Sequence, residues 1–220
     1  MVSPKTRILV LAKDKPGLAG AIEYLRARAP LTELLTGQVG DAFPASALKW
    51  RGDILVSYLS PWIIPPQSLQ SAAAGAVNFH PGPPEYPGIG CTNFALYERA
   101  REFGVTAHHM NPKVDTGAVI AVRRFPILDE DSVHSLTMRC YEHIEALFRA
   151  VFEAFFKTGA WPVSTESWTR PPFRRKQLDE LCRITPDMSP EEIARRARAT
   201  TYPGMPGPFV EIAGRRFELK

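Results

Sequence analysis

The chain has 220 residues, of which 45% are hydrophobic, 23% charged and 10% aromatic, a composition that excludes a disordered or fibrous protein. Its net charge of +4 falls short of the concentrated basic stripe of a nucleic-acid-binding protein, so we expect no nucleic-acid partner. The length suits one α/β domain with a small appendage.

The three cysteines, Cys91, Cys140 and Cys182, lie far apart, with no Cys-x-x-Cys pair and no histidine spaced to complete a zinc site. We therefore expect a reduced compartment and no metal. Only a six-residue strand-like stretch, residues 7–12, precedes Lys13, which is too short for a signal peptide, and no run of about eighteen apolar residues follows. These features predict a cytoplasmic protein with no membrane partner.

The N-terminal part of the chain alternates predicted strands and helices. Residues 7–12 are almost continuously apolar, as a strand covered on both faces should be, and residues 18–28 have the spacing of an amphipathic helix. Residues 53–59 repeat the buried-strand pattern, and prolines end it before a short helix predicted at residues 68–74. This alternation predicts a Rossmann-like, doubly wound α/β fold with a mostly parallel sheet.

The middle of the chain predicts a further strand, a rigid loop and a hairpin. Residues 76–80 read as a strand that runs into residues 81–90, a loop with four prolines and three glycines. Residues 92–102 predict a helix, and residues 104–127 predict two β segments. Their connection is short enough to predict a hairpin with Asp115 in its turn.

The C-terminal part begins with the longest predicted helix, residues 131–157, where apolar residues recur at helical spacing. Ser189 precedes a proline and a suitably placed glutamate, which predicts a capped helix, and the last residues predict a β-hairpin that turns at Ala213. We take residues 1–160 as the α/β domain and residues 161–220 as an appendage of helices plus a β-hairpin.

Candidate chemistry lies where the strand at residues 76–80 ends, because the ligand crevice of an open α/β sheet lies at the carboxyl ends of its strands. Asn78 and His80 point to the same side of that strand, since strand side chains alternate. An amide that stabilises an oxyanion and an imidazole that moves protons suit attack on a carbonyl. Asp115 would complete the set by holding the imidazole in one tautomer, although spacing does not establish that it reaches His80.

The same residues also fit structural roles. The structural alternatives are a local cap at the strand end for Asn78, a satisfied histidine for His80 and an ordinary turn residue for Asp115. His108 and His109 face opposite sides of their strand, so at least one of them is expected on the surface or in the core. They are not expected to form a metal pair.

Four motifs in order resemble the formyltetrahydrofolate-dependent formyltransferases. They are Asn78-Phe79-His80-Pro81, the Pro/Gly loop, the Gly-Val-Thr strand that begins at Gly104, and the Val114-Asp115-Thr116-Gly117 turn. The family includes glycinamide ribonucleotide transformylase, methionyl-tRNA formyltransferase and the N-formyltransferases that act on nucleotide-linked amino sugars. The resemblance is strongest over residues 53–127 and extends over residues 1–160.

The resemblance implies a catalytic trio, a co-substrate and no metal. The trio is Asn78, His80 and Asp115, and the co-substrate is 10-formyltetrahydrofolate. The implied folate contacts are Trp62, Ile63, Ile64, Pro65, Lys113 and Val114. The position of the Pro/Gly loop beside His80 favours an acceptor-binding wall over a merely rigid turn, with Pro81, Gly82, Glu85 and Tyr86 as the candidate contacts.

Departures from the family pattern bear on the amine acceptor. The loop after His80 reads Pro-Gly-Pro-Pro, whereas the purine and tRNA members have Ser-Leu-Leu-Pro, and residues 12–17 lack the purine enzyme's Gly-rich loop. Residues 161–220 are too few for the β-domain with which the tRNA enzyme binds its substrate. A nucleotide-linked amino sugar is therefore our first choice of acceptor. The alternatives are a glycinamide ribonucleotide transformylase-like enzyme, a formyltetrahydrofolate hydrolase and a non-catalytic folate- or nucleotide-binding module, and a homodimer is left open.

Overall fold

The computed structural model describes residues 5–219, which form a six-stranded sheet, seven helices and a small two-stranded sheet. The strands are β1 Arg7–Ala12, β2 Leu31–Thr36, β3 Gly52–Tyr58, β4 Ala72–His80, β5 Glu102–His109, β6 Val119–Pro126, β7 Phe209–Ile212 and β8 Arg215–Glu218. The helices are α1 Leu18–Arg26, α2 Ala45–Lys49, α3 Pro66–Leu69, α4 Cys91–Tyr97, α5 Val133–Thr158, α6 Arg175–Cys182 and α7 Pro190–Thr200.

The large sheet has the order β2-β1-β3-β4-β5-β6. Its first four strands are parallel, and β5 and β6 are antiparallel additions at one edge. The predicted Rossmann-like, mostly parallel α/β fold is confirmed. Within residues 5–219, no helix has both the length and the apolar content that crossing a membrane requires.

Both faces of the sheet are covered, which explains the unbroken apolar runs of β1 and β3. One face packs against α1 and α5, and its core includes Ile54, Val56 and Phe79. The other face buries Leu55 in a smaller apolar cluster beside α2 and α3. Ala76 belongs to this second cluster, and because strand side chains alternate, Asn78 and His80 lie on the same face of β4.

Several predicted boundaries are wrong. The short helix predicted at residues 68–74 is α3, because Pro66 provides a helix start and residues 72–74 already belong to β4. The helix predicted at residues 92–102 ends at Tyr97, since Arg99 turns the chain with a φ of 55°. The sequence reading also missed β2, α2 and α6. β2 lies at the sheet edge, where the polar residues Thr32, Glu33 and Thr36 interrupt the strand, so it lacks a continuous apolar signature.

The predicted hairpins and the predicted Ser189 helix cap are confirmed. β5 pairs with β6, and β7 pairs with β8 across a turn at Ala213, which has a φ of 49°. Ser132 caps α5 by accepting a hydrogen bond from the backbone of Ser135, and the Ser189 hydroxyl caps α7 in the same manner. The division at residue 160 stays a prediction.

Candidate active site

The register between β4 and β5 brings two polar side chains face to face. Asn78 lies directly opposite His108 in this antiparallel pair, and its amide nitrogen Nδ2 is 2.9 Å from His108 Nε2. His80 lies two residues further along β4 on the same face. Asn78, His80 and His108 therefore form one polar cluster on the same face of the sheet.

Asp115 reaches this cluster from the turn between β5 and β6. Its backbone has a φ of 47°, a left-handed conformation that aspartate tolerates better than most residues. One carboxylate oxygen lies 3.2 Å from His80 Nδ1, and the other lies 3.2 Å from His108 Nε2. The backbone N–H of Gly88 also donates to the carboxylate at 2.8 Å. The structure thus brings together the three residues that sequence spacing left separate.

The hydrogen-bond and charge partners of Asp115 keep its carboxyl group ionised. Burial alone would raise the pKa of this carboxyl group, which is 6% exposed. The electrostatic attraction of His80, the hydrogen bond and charge of His108, and the Gly88 N–H outweigh burial and lower the pKa from 3.8 to about 2. Asp115 is therefore an anion at every working pH and a weak base.

His108 is a site residue that the sequence reading missed. It is buried, as Asp115 is, and its Nδ1 lies 2.8 Å from the backbone carbonyl oxygen of His109. The His109 side chain faces the opposite side, near Trp161, where burial and then the charge of His108 lower its pKa. Alternation therefore separated the two histidines correctly, but only the strand register shows that His108 is the inward one.

Hydrogen-bond geometry indicates what each polar group can do. Both ring nitrogens of His80 face oxygen acceptors, Asp115 at 3.2 Å and the Tyr86 carbonyl at 3.0 Å, so an imidazolium satisfies both. One N–H of Asn78 is directed to His108, whereas the other is held by a long contact of 3.5 Å to Asp115. The long contact to Asp115 is the weaker of the two, so it is the one that Asn78 can exchange for a ligand oxygen.

The cluster lies at one end of a cavity of about 290 Å³. Its walls are the segment after β3 and the turn before β6, and they include Trp62, Ile63, Ile64, Lys113 and Val114 among the predicted folate contacts. Pro65 lies beyond the lining, where it precedes the first residue of α3. Trp62 is notable because its indole N–H is buried without a partner among residues 5–219.

Only some of the predicted acceptor contacts lie at the cavity. Pro81 lines the cavity, and Gly82 packs so closely behind His80 that a Cβ there would lie 2.7 Å from His80 Nε2. Glu85 instead pairs with Arg124. Tyr86 is buried, and its hydroxyl donates to Glu98 at 2.9 Å. The side chains of Glu85 and Tyr86 therefore have partners away from the cavity, and the backbone carbonyl of Tyr86 is what reaches His80.

No group of three or more His, Cys, Asp or Glu side chains in the described range 5–219 is arranged to hold a metal ion.

Comparison with known proteins matches residues 46–151 to the family model described as formyl transferase. A methionyl-tRNA formyltransferase from Rhodopirellula baltica is 36% identical over 99 residues, which are 44% of this chain and 30% of that protein. The chain thus spans under a third of this relative's length. The predicted resemblance to formyltetrahydrofolate-dependent formyltransferases is confirmed.

Two solved structures share the fold over nearly the whole chain. A 4-N formyltransferase from Francisella tularensis has a TM-score of 0.79 at 14% identity, covering 99% of this chain and 97% of that one. An N-formyltransferase from Helicobacter canadensis, solved with folinic acid and dTDP-3-aminofucose, has a TM-score of 0.75 at 16% identity. That match covers 95% of this chain and 85% of the other.

Proposed function

We propose that the chain is an N-formyltransferase that moves a formyl group from 10-formyltetrahydrofolate to a primary amine. The acceptor that we propose is an amine on a nucleotide-linked amino sugar. The observation that carries the proposal is the buried contact of Asp115 with His80 and His108 beside the Asn78 amide, which is only weakly bound to Asp115. These groups meet at the end of a ligand-sized cavity.

The cavity walls fit the donor. Its lining includes Leu59, Trp62, Ile64 and Met110, which suit the flat, partly apolar face of a pterin ring. The unpartnered indole N–H of Trp62 would be satisfied by a pterin carbonyl or ring nitrogen, which offsets the cost of leaving a buried donor without an acceptor. This lining supports a folate co-substrate whose formyl end reaches Asn78.

The proposed reaction is an acyl transfer through a tetrahedral intermediate. The amine lone pair forms a bond to the formyl carbon while the carbonyl π pair moves to oxygen. Asn78 donates an N–H to that oxyanion, and a protonated His80 nearby adds electrostatic stabilisation. The oxyanion then re-forms the carbonyl double bond as the bond to the folate nitrogen N10 breaks, and the electron pair of the broken bond stays on N10.

Proton movement completes the balance. The amine loses one proton and N10 gains one, so no external acid or base is consumed. His80 is the group placed to carry this proton, with Asp115 holding its ring in position. Because His80 Nε2 faces the Tyr86 carbonyl at 3.0 Å, the ring must exchange that partner before it passes a proton to N10.

The proposed acceptor rests on how much of each similar protein this chain matches. Sugar N-formyltransferase structures match nearly the whole chain, and one of them binds dTDP-3-aminofucose with folinic acid. The tRNA-specific relative is matched over 30% of its length. These observations favour a nucleotide-linked amino sugar over methionyl-tRNA, and a glycinamide ribonucleotide acceptor is kept as the competing one.

The test is the release of tetrahydrofolate from 10-formyltetrahydrofolate, measured with and without each amine. The panel contains dTDP- and UDP-linked amino sugars, glycinamide ribonucleotide and methionyl-tRNA. We expect turnover that depends on a nucleotide-linked amino sugar. Equal turnover without any amine would instead identify a hydrolase, and folinic acid binding without turnover would identify a binding module.

A further inference from the structure

The chain after α5 folds back across the candidate active site. This strap, residues 161–173, begins where the Trp161 indole N–H donates to the Ala74 carbonyl of β4 at 2.7 Å. It continues along β6, where the Ser164 backbone N–H donates to the Val119 carbonyl at 3.4 Å. It ends on the Pro/Gly loop, where Phe173 exchanges backbone hydrogen bonds with residues 87 and 89. The strap lies outside the family-matched residues 46–151.

Trp168 sits at the centre of the strap, against both site histidines. Its ring lies edge-to-face with His108, with centroids 5.0 Å apart at 84°, and with His80, with centroids 5.9 Å apart at 77°. Its indole N–H donates to the Gly117 carbonyl at 2.7 Å, two residues after Asp115 in the same turn. One side chain therefore touches both imidazoles and ties down the turn that carries their shared anion.

We propose that Trp168 is a positioning residue for formyl transfer, which holds His80 and His108 in register with Asp115 and keeps water from their hydrogen bonds. The inference rests on the proposed function. Trp168 does not touch the cavity, so it acts through the histidines and not on the substrate.

The physical reason lies in how the two imidazoles are held. Each makes 3.2 Å contacts to Asp115, and such contacts are far stronger in a dry site than in water. The large indole covers both rings, so a small aliphatic residue there would open space for water and for ring rotation. A displaced His80 would then meet the reacting atoms in the wrong orientation, a loss that appears in rate and not in substrate binding.

The strap also holds the Pro/Gly loop, whose backbone supplies a further hydrogen-bond partner to Asp115 and one to His80. The Pro/Gly loop that it clamps supplies the Gly88 N–H to Asp115 at 2.8 Å and the Tyr86 carbonyl to His80 at 3.0 Å. Thr169, next to Trp168, donates its backbone N–H to the Pro84 carbonyl at 3.2 Å. Trp168 thus lies where the Asp115 turn, the Pro/Gly loop and the two site histidines meet.

Three variants of the full chain test the inference. Trp168→Leu should lower kcat on the order of 10–100-fold, with the KM values of folate and amine within about twofold. Trp168→Phe keeps an aromatic ring and should recover most of kcat. Trp161→Phe is the matched control, because its indole N–H also donates to a backbone carbonyl at 2.7 Å while its ring stacks on Phe155. It should leave kcat unchanged.

Proton NMR gives a readout that does not depend on turnover. The wild type should show exchange-protected imidazole N–H signals from His80 and His108, which Trp168→Leu should lose and Trp161→Phe should keep. If the wild type formylates no amine, the proposed function fails. The N–H signals of wild type and Trp168→Leu still test whether Trp168 positions the histidines. A folded Trp168→Leu protein that retains the protected signals and the wild-type kcat would overturn the inference.

Discussion

Replacement of Asp115 by asparagine removes a buried negative charge while keeping the shape of the side chain. The carboxylate contacts His80 and His108 at 3.2 Å each and accepts the Gly88 N–H at 2.8 Å. The variant should therefore lose both folding stability and formyl-transfer rate, because the two imidazoles lose the anion that orients them.

The magnitude follows from the pKa of Asp115. Its fall from 3.8 to about 2 corresponds to about 2 kcal/mol of folding free energy, at 1.36 kcal/mol per unit of pKa. Because the folded-state pKa is depressed, this stabilisation is fully present above the unfolded value of 3.8 and is lost as the pH falls through about 2. We expect Asp115→Asn to cost about 2–4 kcal/mol at pH 7, since the variant also leaves the histidines unpaired.

The assay is urea unfolding of wild type and variant between about pH 7 and pH 3, with kcat measured at neutral pH. The difference in unfolding free energy between the two proteins should shrink as the pH falls below about 4.

Asp131→Asn is the matched control for this experiment. Burial raises the pKa of Asp131, but the Leu128 N–H, the Ser135 hydroxyl and Arg139 outweigh it, so this carboxylate is also held ionised. It lies at the start of α5, outside the cavity lining, and its loss should lower stability without changing kcat. Equal stability of Asp115→Asn and wild type at pH 7, or equal kcat, would refute the reasoning.

Two other substitutions test the frame around the site. Gly88→Ala should cost on the order of 1–3 kcal/mol and slow turnover, because Gly88 has a φ of 87° and a Cβ there would lie 2.3 Å from the Phe173 carbonyl oxygen. Gly40→Ala separates the steric clash from backbone strain, since Gly40 has a φ of 98° but no atom within 4 Å of its Cβ position. If urea unfolding showed a larger loss of stability for Gly40→Ala than for Gly88→Ala, the argument would be contradicted. Trp62→Phe should weaken folinic acid binding by about 1 kcal/mol, roughly fivefold in Kd, because it removes the unpartnered indole donor. Calorimetric titration measures that change, and an unaltered Kd would mean that the indole N–H does not meet the folate.

The parallel core was predictable because its signals are local. β1 and β3 are apolar on both faces, and the period of α5 follows directly from its sequence. The edge strand β2 carries Glu33 and other exposed residues, so its pattern resembles a loop. α4 was predicted too long because a residue with positive φ, Arg99, ends it without a glycine to signal the stop.

The site was predictable only in part because it depends on register. Alternation alone puts Asn78 and His80 on one face of β4. The partnership of Asn78 with His108 requires the β4–β5 register, and the reach of Asp115 requires the left-handed turn at φ 47°. Trp168 arrives from a strap that follows the longest helix, and no local pattern predicts such a contact.

The most direct test of the account is single-turnover formyl transfer to a nucleotide-linked amino sugar by wild type, Asn78→Ala and His109→Ala. His109 adjoins the site on β5 but faces away from it. The account predicts an amine-dependent N-formyl product, a loss of about 10²–10³ in rate for Asn78→Ala, as for other single oxyanion donors, and wild-type rates for His109→Ala. A folded Asn78→Ala protein that forms the product at the wild-type rate would contradict it.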